Sequence, residues 1–221
     1  MTQPSAVGPC AGWFGKIPSL GDFVQRNLPP SFVEPWDAWL SQELSHSQRA
    51  LGEHWAESWR HAPAWCFCLG AGVLDQRSWQ GLLLPSLDRV GREFPLTIAV
   101  SAGPHAARHR PAGWWTVLLT IGRRALEPAG SADELDEALA ALMVDRAILP
   151  GGDADASPER ESDACAPGSG AGSAWWRAGA VADRGDARRV LLAGLPRGQE
   201  FLALLEVSDP APGSAGTGPR C

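Results

Sequence analysis

Trp65-Cys66-Phe67-Cys68-Leu69, Trp79-Gln80-Gly81-Leu82-Leu83-Leu84 and Phe94-Pro95-Leu96-Thr97-Ile98-Ala99-Val100 decide the fold. Each is a short apolar run bounded by glycine or proline, the pattern of a sheet strand. The segments joining them fall short of the roughly dozen residues that a parallel crossover requires, so the sheet is expected to be mostly antiparallel or mixed. Upstream, Gly12 to Ile17 predicts a first strand, with a loop from Pro18 to Gly21.

A long helix is expected next. Trp36, Leu40, Leu44, Leu51, Trp55 and Trp59 recur at helical steps and share one face. Pro35 fits a first helical turn, Ser31 and Glu34 have capping-box spacing, and Gly52 is placed to bend or interrupt the helix. Downstream, Trp114 to Arg123 and Ala132 to Val144 read as helices. The second puts Leu135, Leu139, Leu142 and Met143 on one face behind acidic first-turn residues, with Ser131 as its cap. Trp175 to Arg177 and Arg188 to Leu192 regain strand character, Gly194-Leu195-Pro196 makes a turn, and Gln199 to Glu206 closes with a helix.

Helices alternating with such a sheet indicate an α/β sandwich in a single domain. Its expected parts are a flexible leader over 1–11, the main body over 12–149, an insertion over 150–173, closing elements over 174–208 and a flexible tail over 209–221. Residues 151–172 mix glycine, proline and five acids without apolar periodicity, which predicts disorder.

The chain has 221 residues, 44% of them hydrophobic, enough to bury a core. A net charge of −6 argues against binding nucleic acid through its phosphates. Lys16 is the only lysine, so cationic chemistry falls to arginine, whose planar fork suits carboxylate or phosphate. The five cysteines form neither a metal pattern nor a disulfide framework, and Cys66 and Cys68 are expected as packed thiols on one face of a strand. The odd cysteine count and the absence of a signal-peptide pattern at Met1–Ala6 suit a cytoplasmic protein, and no run is long enough to insert in a membrane.

The chemical motifs are sparse. Gly70-Ala71-Gly72 lacks the third glycine of a dinucleotide loop, and Gly15-Lys16 lacks the remainder of a phosphate-binding loop. His54, Glu57 and His61 fall along one helix edge, where a solvated face explains them better than a metal. No metal or other cofactor is therefore expected. Ser86 with Asp88 and His105, or Ser19 with Asp22, supplies the residue types of a hydrolase outside any recognisable framework. Of the eleven tryptophans most are expected in the core; in the pair Trp175-Trp176, strand alternation sends the rings to opposite faces, leaving one as a surface anchor. In Asp88-Arg89-Val90-Gly91-Arg92, Asp88 paired with an arginine shapes a turn in which Gly91 takes a positive φ, or the arginines form a recognition surface; the two are compatible.

Two runs defy helix and strand periods: Gly12-Trp13-Phe14-Gly15-Lys16-Ile17-Pro18-Ser19-Leu20-Gly21-Asp22-Phe23-Val24 and Pro85-Ser86-Leu87-Asp88-Arg89-Val90-Gly91-Arg92-Glu93-Phe94-Pro95. Their polar residues are expected on neighbouring surface. With Ser31-Phe32-Val33-Glu34-Pro35-Trp36-Asp37-Ala38-Trp39-Leu40, they resemble the TagF (ImpM) family of type VI secretion-associated proteins, and Trp175-Trp176 and Gly194-Leu195-Pro196 match that family's later, looser pattern. The resemblance implies a cytoplasmic bacterial regulator without enzymatic activity, one that represses secretion after translation through a forkhead-associated scaffold protein. A small Ser/Asp-dependent hydrolase is the alternative. The candidate partner contacts are Lys16, Asp22, Phe23, Asp88, Arg89, Arg92, Trp175 and Trp176, and Gly15, Pro18, Gly21, Gly91 and Pro95 are expected to shape the loops.

Overall fold

A computed structural model describes residues 11–102, 113–148, 171–179 and 189–206. The chain order is β1 (Ala11–Gly15), β2 (Val24–Arg26), α1 (Pro30–Leu51), a 3-10 turn (Gly52–His54), α2 (Trp55–His61), β3 (Trp65–Leu69), β4 (Ser78–Leu84), β5 (Leu96–Ala102), α3 (Trp114–Ala125), α4 (Ala132–Ile148), β6 (Ser173–Arg177), β7 (Val190–Leu192) and α5 (Gln199–Leu205). The strands form one sheet in the order β2-β1-β5-β4-β3-β6-β7, with every neighbouring pair antiparallel. The fold is thus a single-domain α/β sandwich on an antiparallel sheet.

Strand alternation splits the core in two. Phe14, Trp65, Phe67, Leu69, Trp79, Leu83, Ala99 and Trp175 face α1, α2 and α5. Their neighbours Trp13, Cys66, Cys68, Leu82, Leu84, Ile98, Val100, Ala174 and Trp176 face α3 and α4. Because helices cover both faces, the strands read as unbroken apolar runs rather than as alternating ones.

Tryptophan ties these layers together through its indole N–H as well as its bulk. Trp36 in α1 donates to Thr97 Oγ1 in β5 (2.9 Å), and Trp39 donates to the carbonyl of Pro196 (2.8 Å). Trp65 in β3 donates to the carbonyl of Leu204 in α5 (2.8 Å), while Trp13 in β1 donates to Asp136 in α4 (2.8 Å). Glu43, buried in α1, accepts the N–H of Gly198 at the start of α5 (2.8 Å).

Several expectations are corrected. β2 was not expected. The long helix begins at Pro30, so Pro35 lies in its second turn; Ser31 caps nothing and instead donates to Asp75 Oδ2 (2.9 Å). Gly52 does interrupt the helix, with φ of 53°. Ser131 does cap α4, its Oγ accepting the N–H of Glu134 (3.1 Å). At the part boundaries, Ala11 belongs to β1 rather than the leader, and Ser173 is a buried strand residue rather than insertion. The remaining leader and the tail, with most of the insertion, lie outside the described residues, as does His105. Cys66 is a free buried thiol whose pKa burial pushes up to about 12, whereas Cys68 is disulfide-bonded, which corrects the expectation of two packed thiols. Among the described residues, no helix is long and apolar enough to cross a membrane.

Candidate functional site

Both aperiodic runs meet at one end of the sheet, as their polar composition predicts. β1 ends at Gly15, whose φ is 129°; a Cβ there would lie 1.9 Å from the carbonyl oxygen of Pro95, so only glycine lets the two chain segments pass this closely. The chain then turns at Ile17-Pro18-Ser19-Leu20, with Leu20 N–H donating to the carbonyl of Ile17 (3.1 Å) and Pro18 supplying the preset φ of the second turn position. Opposite it, Asp88 to Gly91 forms a second turn, closed by the Gly91 N–H on the carbonyl of Asp88 (2.9 Å), with Gly91 at φ 84°. The expected positive φ at Gly91 is therefore observed. The two loops are joined directly: the Arg89 N–H donates to the carbonyl of Leu20 (2.8 Å), and Arg92 Nη2 donates to the carbonyl of Gly21 (2.6 Å).

Asp88 is the hub of this junction and is fully buried. Its Oδ1 accepts the N–H groups of Val90 and Arg92 (both 3.0 Å), while Oδ2 lies 3.1 Å from Lys16 Nζ and 2.6 Å from Arg92 Nε. Burial alone would raise its pKa. The hydrogen bonds from the Arg92 N–H, Lys16, the Arg92 guanidinium and the Val90 N–H outweigh burial and hold the carboxyl well below the ordinary carboxylate range. Lys16 is itself buried and lies under the ring of Phe23 (4.7 Å from its centroid). Phe23 in turn stacks with Phe14 (centroids 6.2 Å apart) and meets Phe94 edge-on (4.6 Å). Ser86 is buried too: its hydroxyl donates to the carbonyl of Lys16 (2.8 Å), and its own carbonyl accepts the indole N–H of Trp59 (2.9 Å).

The surface that remains consists of Asp22, Phe23, Leu87, Arg89, Val90 and Arg92. Phe23 is 46% exposed and Val90 67%. Asp22 Oδ1 accepts the N–H of Phe23 (2.8 Å) and so braces its own loop. Of the residues expected to contact a partner, Asp22, Phe23, Arg89 and Arg92 are thus exposed, whereas Lys16 and Asp88 are buried beneath them as the frame and are not on the surface. Pro95 is buried beside Gly15, and Gly21 lies under the Arg89 guanidinium, a Cβ there reaching to 3.4 Å from its Nη2.

Trp175 and Trp176 are corrected as well. Their rings do go to opposite faces, but each face is covered and both are buried. Trp175 stacks on Trp36 (centroids 6.3 Å apart, planes 5° apart) and donates to Ser173 Oγ (2.8 Å); Trp176 meets Trp115 edge-on (4.8 Å). Sequence reasoning missed the aromatic triad of Phe14, Phe23 and Phe94 over Lys16. Its signal was present in the motifs themselves, each of which has a phenylalanine as its last residue but one.

These loops fall inside the segment that matches a known family. Residues 12–142 match the TagF N-terminal domain, described as type VI secretion system-associated. No curated protein matches the sequence. Among solved structures, the chain is similar to the crystal structure of PA0076 from Pseudomonas aeruginosa PAO1, at 29% identity and a TM-score of 0.68, over 92% of this chain and 99% of that one. A match over more than half of the sequence, carrying both loops that build the Asp88 junction, places the chain in the TagF family of type VI secretion-associated proteins.

Proposed function

We propose that this protein is a non-enzymatic, cytoplasmic repressor of the type VI secretion system that acts after translation by binding a forkhead-associated scaffold protein. The observation that carries this reading is the convergence of both family motifs on one solvent-facing surface over a closed polar frame. Every oxygen of the Asp88 carboxylate is engaged, and the Ser86 hydroxyl is held by a backbone carbonyl. Such groups are arranged to hold a surface in shape, whereas general-base and nucleophile pairs need free reach to a reacting atom. One cavity beside these loops, lined by Trp59, Trp65, Leu83, Pro85 and Phe201 among others, has an apolar lining. A rigid surface with half-exposed aromatic and arginine side chains suits protein docking.

Overproduction in a cell carrying the secretion system tests the proposal. Secretion is expected to fall, and the scaffold is expected to co-purify with the overproduced chain. Unchanged secretion with no scaffold recovered overturns the proposal.

A further inference from the structure

We propose that Arg89 is the docking cation of the motif surface and takes a carboxylate from an acidic segment of the partner protein, whose neighbouring apolar side chain packs on Phe23 and Val90. The inference rests on the protein-binding reading above and specifies the chemistry of what is bound.

The three cations at the junction differ in what they are free to do. Lys16 is buried against Asp88. Arg92 is exposed, yet its Nε is closed on Asp88 and its Nη2 on the carbonyl of Gly21. Arg89 is exposed, and its guanidinium makes no hydrogen bond or ion pair with a described residue. Its backbone is nevertheless fixed, since its N–H donates to Leu20 and the preceding residue is the hub Asp88. A positioned stem with a free fork loses less freedom on binding than a mobile side chain does.

The arrangement of charge points the same way. Lys16 and Arg92 share the carboxylate of Asp88, and although Asp22 and Glu93 balance the remaining positive charge of the two runs, the Asp22 carboxylate makes no ion pair with Arg89. In a chain whose formal net charge is −6, it is therefore the one unengaged guanidinium of the junction, and not a net positive field, that selects where an acidic group lands. A free guanidinium accepts a carboxylate through two parallel hydrogen bonds. A phosphate dianion draws a cluster of cations, and here the second guanidinium has already closed on Asp88 and Gly21. Beside Arg89, Phe23, Leu87 and Val90 are three of the large hydrophobic side chains that the fold leaves exposed. The occupant therefore carries an acid and an apolar side chain side by side.

The test uses the purified full-length chain and the purified scaffold protein, with affinities measured for the wild type and for Arg89→Ala, Arg89→Glu and Arg89→Lys. Thermal unfolding of each variant establishes that it is folded. Arg89→Glu is expected to weaken binding by about tenfold or more with an unchanged melting temperature, and Arg89→Lys to retain part of the affinity. Raising the salt from about 50 mM to about 500 mM should weaken the wild type more than Arg89→Ala, since the variant has lost the screened contact. Phosphatase treatment of the scaffold is expected to leave binding unchanged; loss of binding on that treatment overturns the carboxylate assignment in favour of a phosphorylated segment. Wild-type binding that Arg89→Glu leaves intact overturns this inference while the functional reading stands. A wild type that binds no scaffold overturns the functional reading, and this inference with it.

Discussion

The tryptophan pair of β6 and the arginine pair of the loop after β4 both belong to the residue types that dominate protein interfaces, yet the fold uses them in opposite ways. Trp175 and Trp176 are enclosed by helices on both sides of the sheet, so alternation only decides which core each ring enters. Arg89 and Arg92 alternate in role on a turn: one guanidinium closes inward on Asp88, the other is left to solvent. Residue type alone does not mark a contact surface. What decides is whether the surrounding elements leave a face uncovered and whether the polar groups already have partners.

Three substitutions grade that contrast from the largest effect to the smallest. Trp175→Ala removes a fully buried ring stacked on Trp36 and tilted against Phe67 and should cost about 3–5 kcal/mol, a fall in melting temperature on the order of ten degrees. A shift of only a degree or two would mean that the ring is dispensable to the core and would reopen a surface role. Asp88→Asn should come next: it strands Lys16, buried without a counter-charge, and loosens both loops, and a melt lower by several degrees is the expected reading. Arg89→Ala should change stability by no more than about 0.5 kcal/mol, because its exposed guanidinium makes no hydrogen bond or ion pair with a described residue. A large loss there would make the arginines alike and break the comparison.

Acid sharpens it further. In the folded chain the Asp88 carboxyl is held below its ordinary range, so as pH falls the unfolded chain takes up this proton first. The stabilisation is fully present above about pH 4 and is lost as pH drops through the folded-state value. Melting temperatures taken from about pH 6 down to about pH 3 should therefore fall more steeply for the wild type than for Asp88→Asn. Parallel curves would show that the junction adds no acid sensitivity of its own.

Much of this was legible in the chain. β3, β4 and β5 stood out as short apolar runs with brief connections, which suffices to exclude a parallel sheet. The Asp88 turn was legible because aspartate and glycine carry local turn chemistry. Its pairing with Lys16 was not, since that contact depends on β1 and β5 lying side by side, and strand order is a tertiary outcome. β2 escaped notice for a related reason: Val24-Gln25-Arg26 is a three-residue edge strand with no apolar run, and only the exposed rim of β1 gives it a partner. The burial of both tryptophans in β6 followed from the presence of helices for two faces, α1 for one and α3 with α4 for the other; weighing the pair by strand alternation alone hid it.

The indole tethers from α1 and β3 to the last elements set where this chain tolerates being divided. The match to the TagF N-terminal domain ends at residue 142, but Trp36, Trp39 and Phe67 reach their cover only when β6 and α5 return from far along the chain, and β3 finds its second neighbour there as well. A fragment cut at that limit would bare the edge of β3 together with a sheet of aromatic rings, an invitation to aggregate rather than a smaller working unit. For the same reason the chain must close contacts across most of its length before its core is dry, which predicts slow, late-committing folding and a dependence on the whole polypeptide having been synthesised.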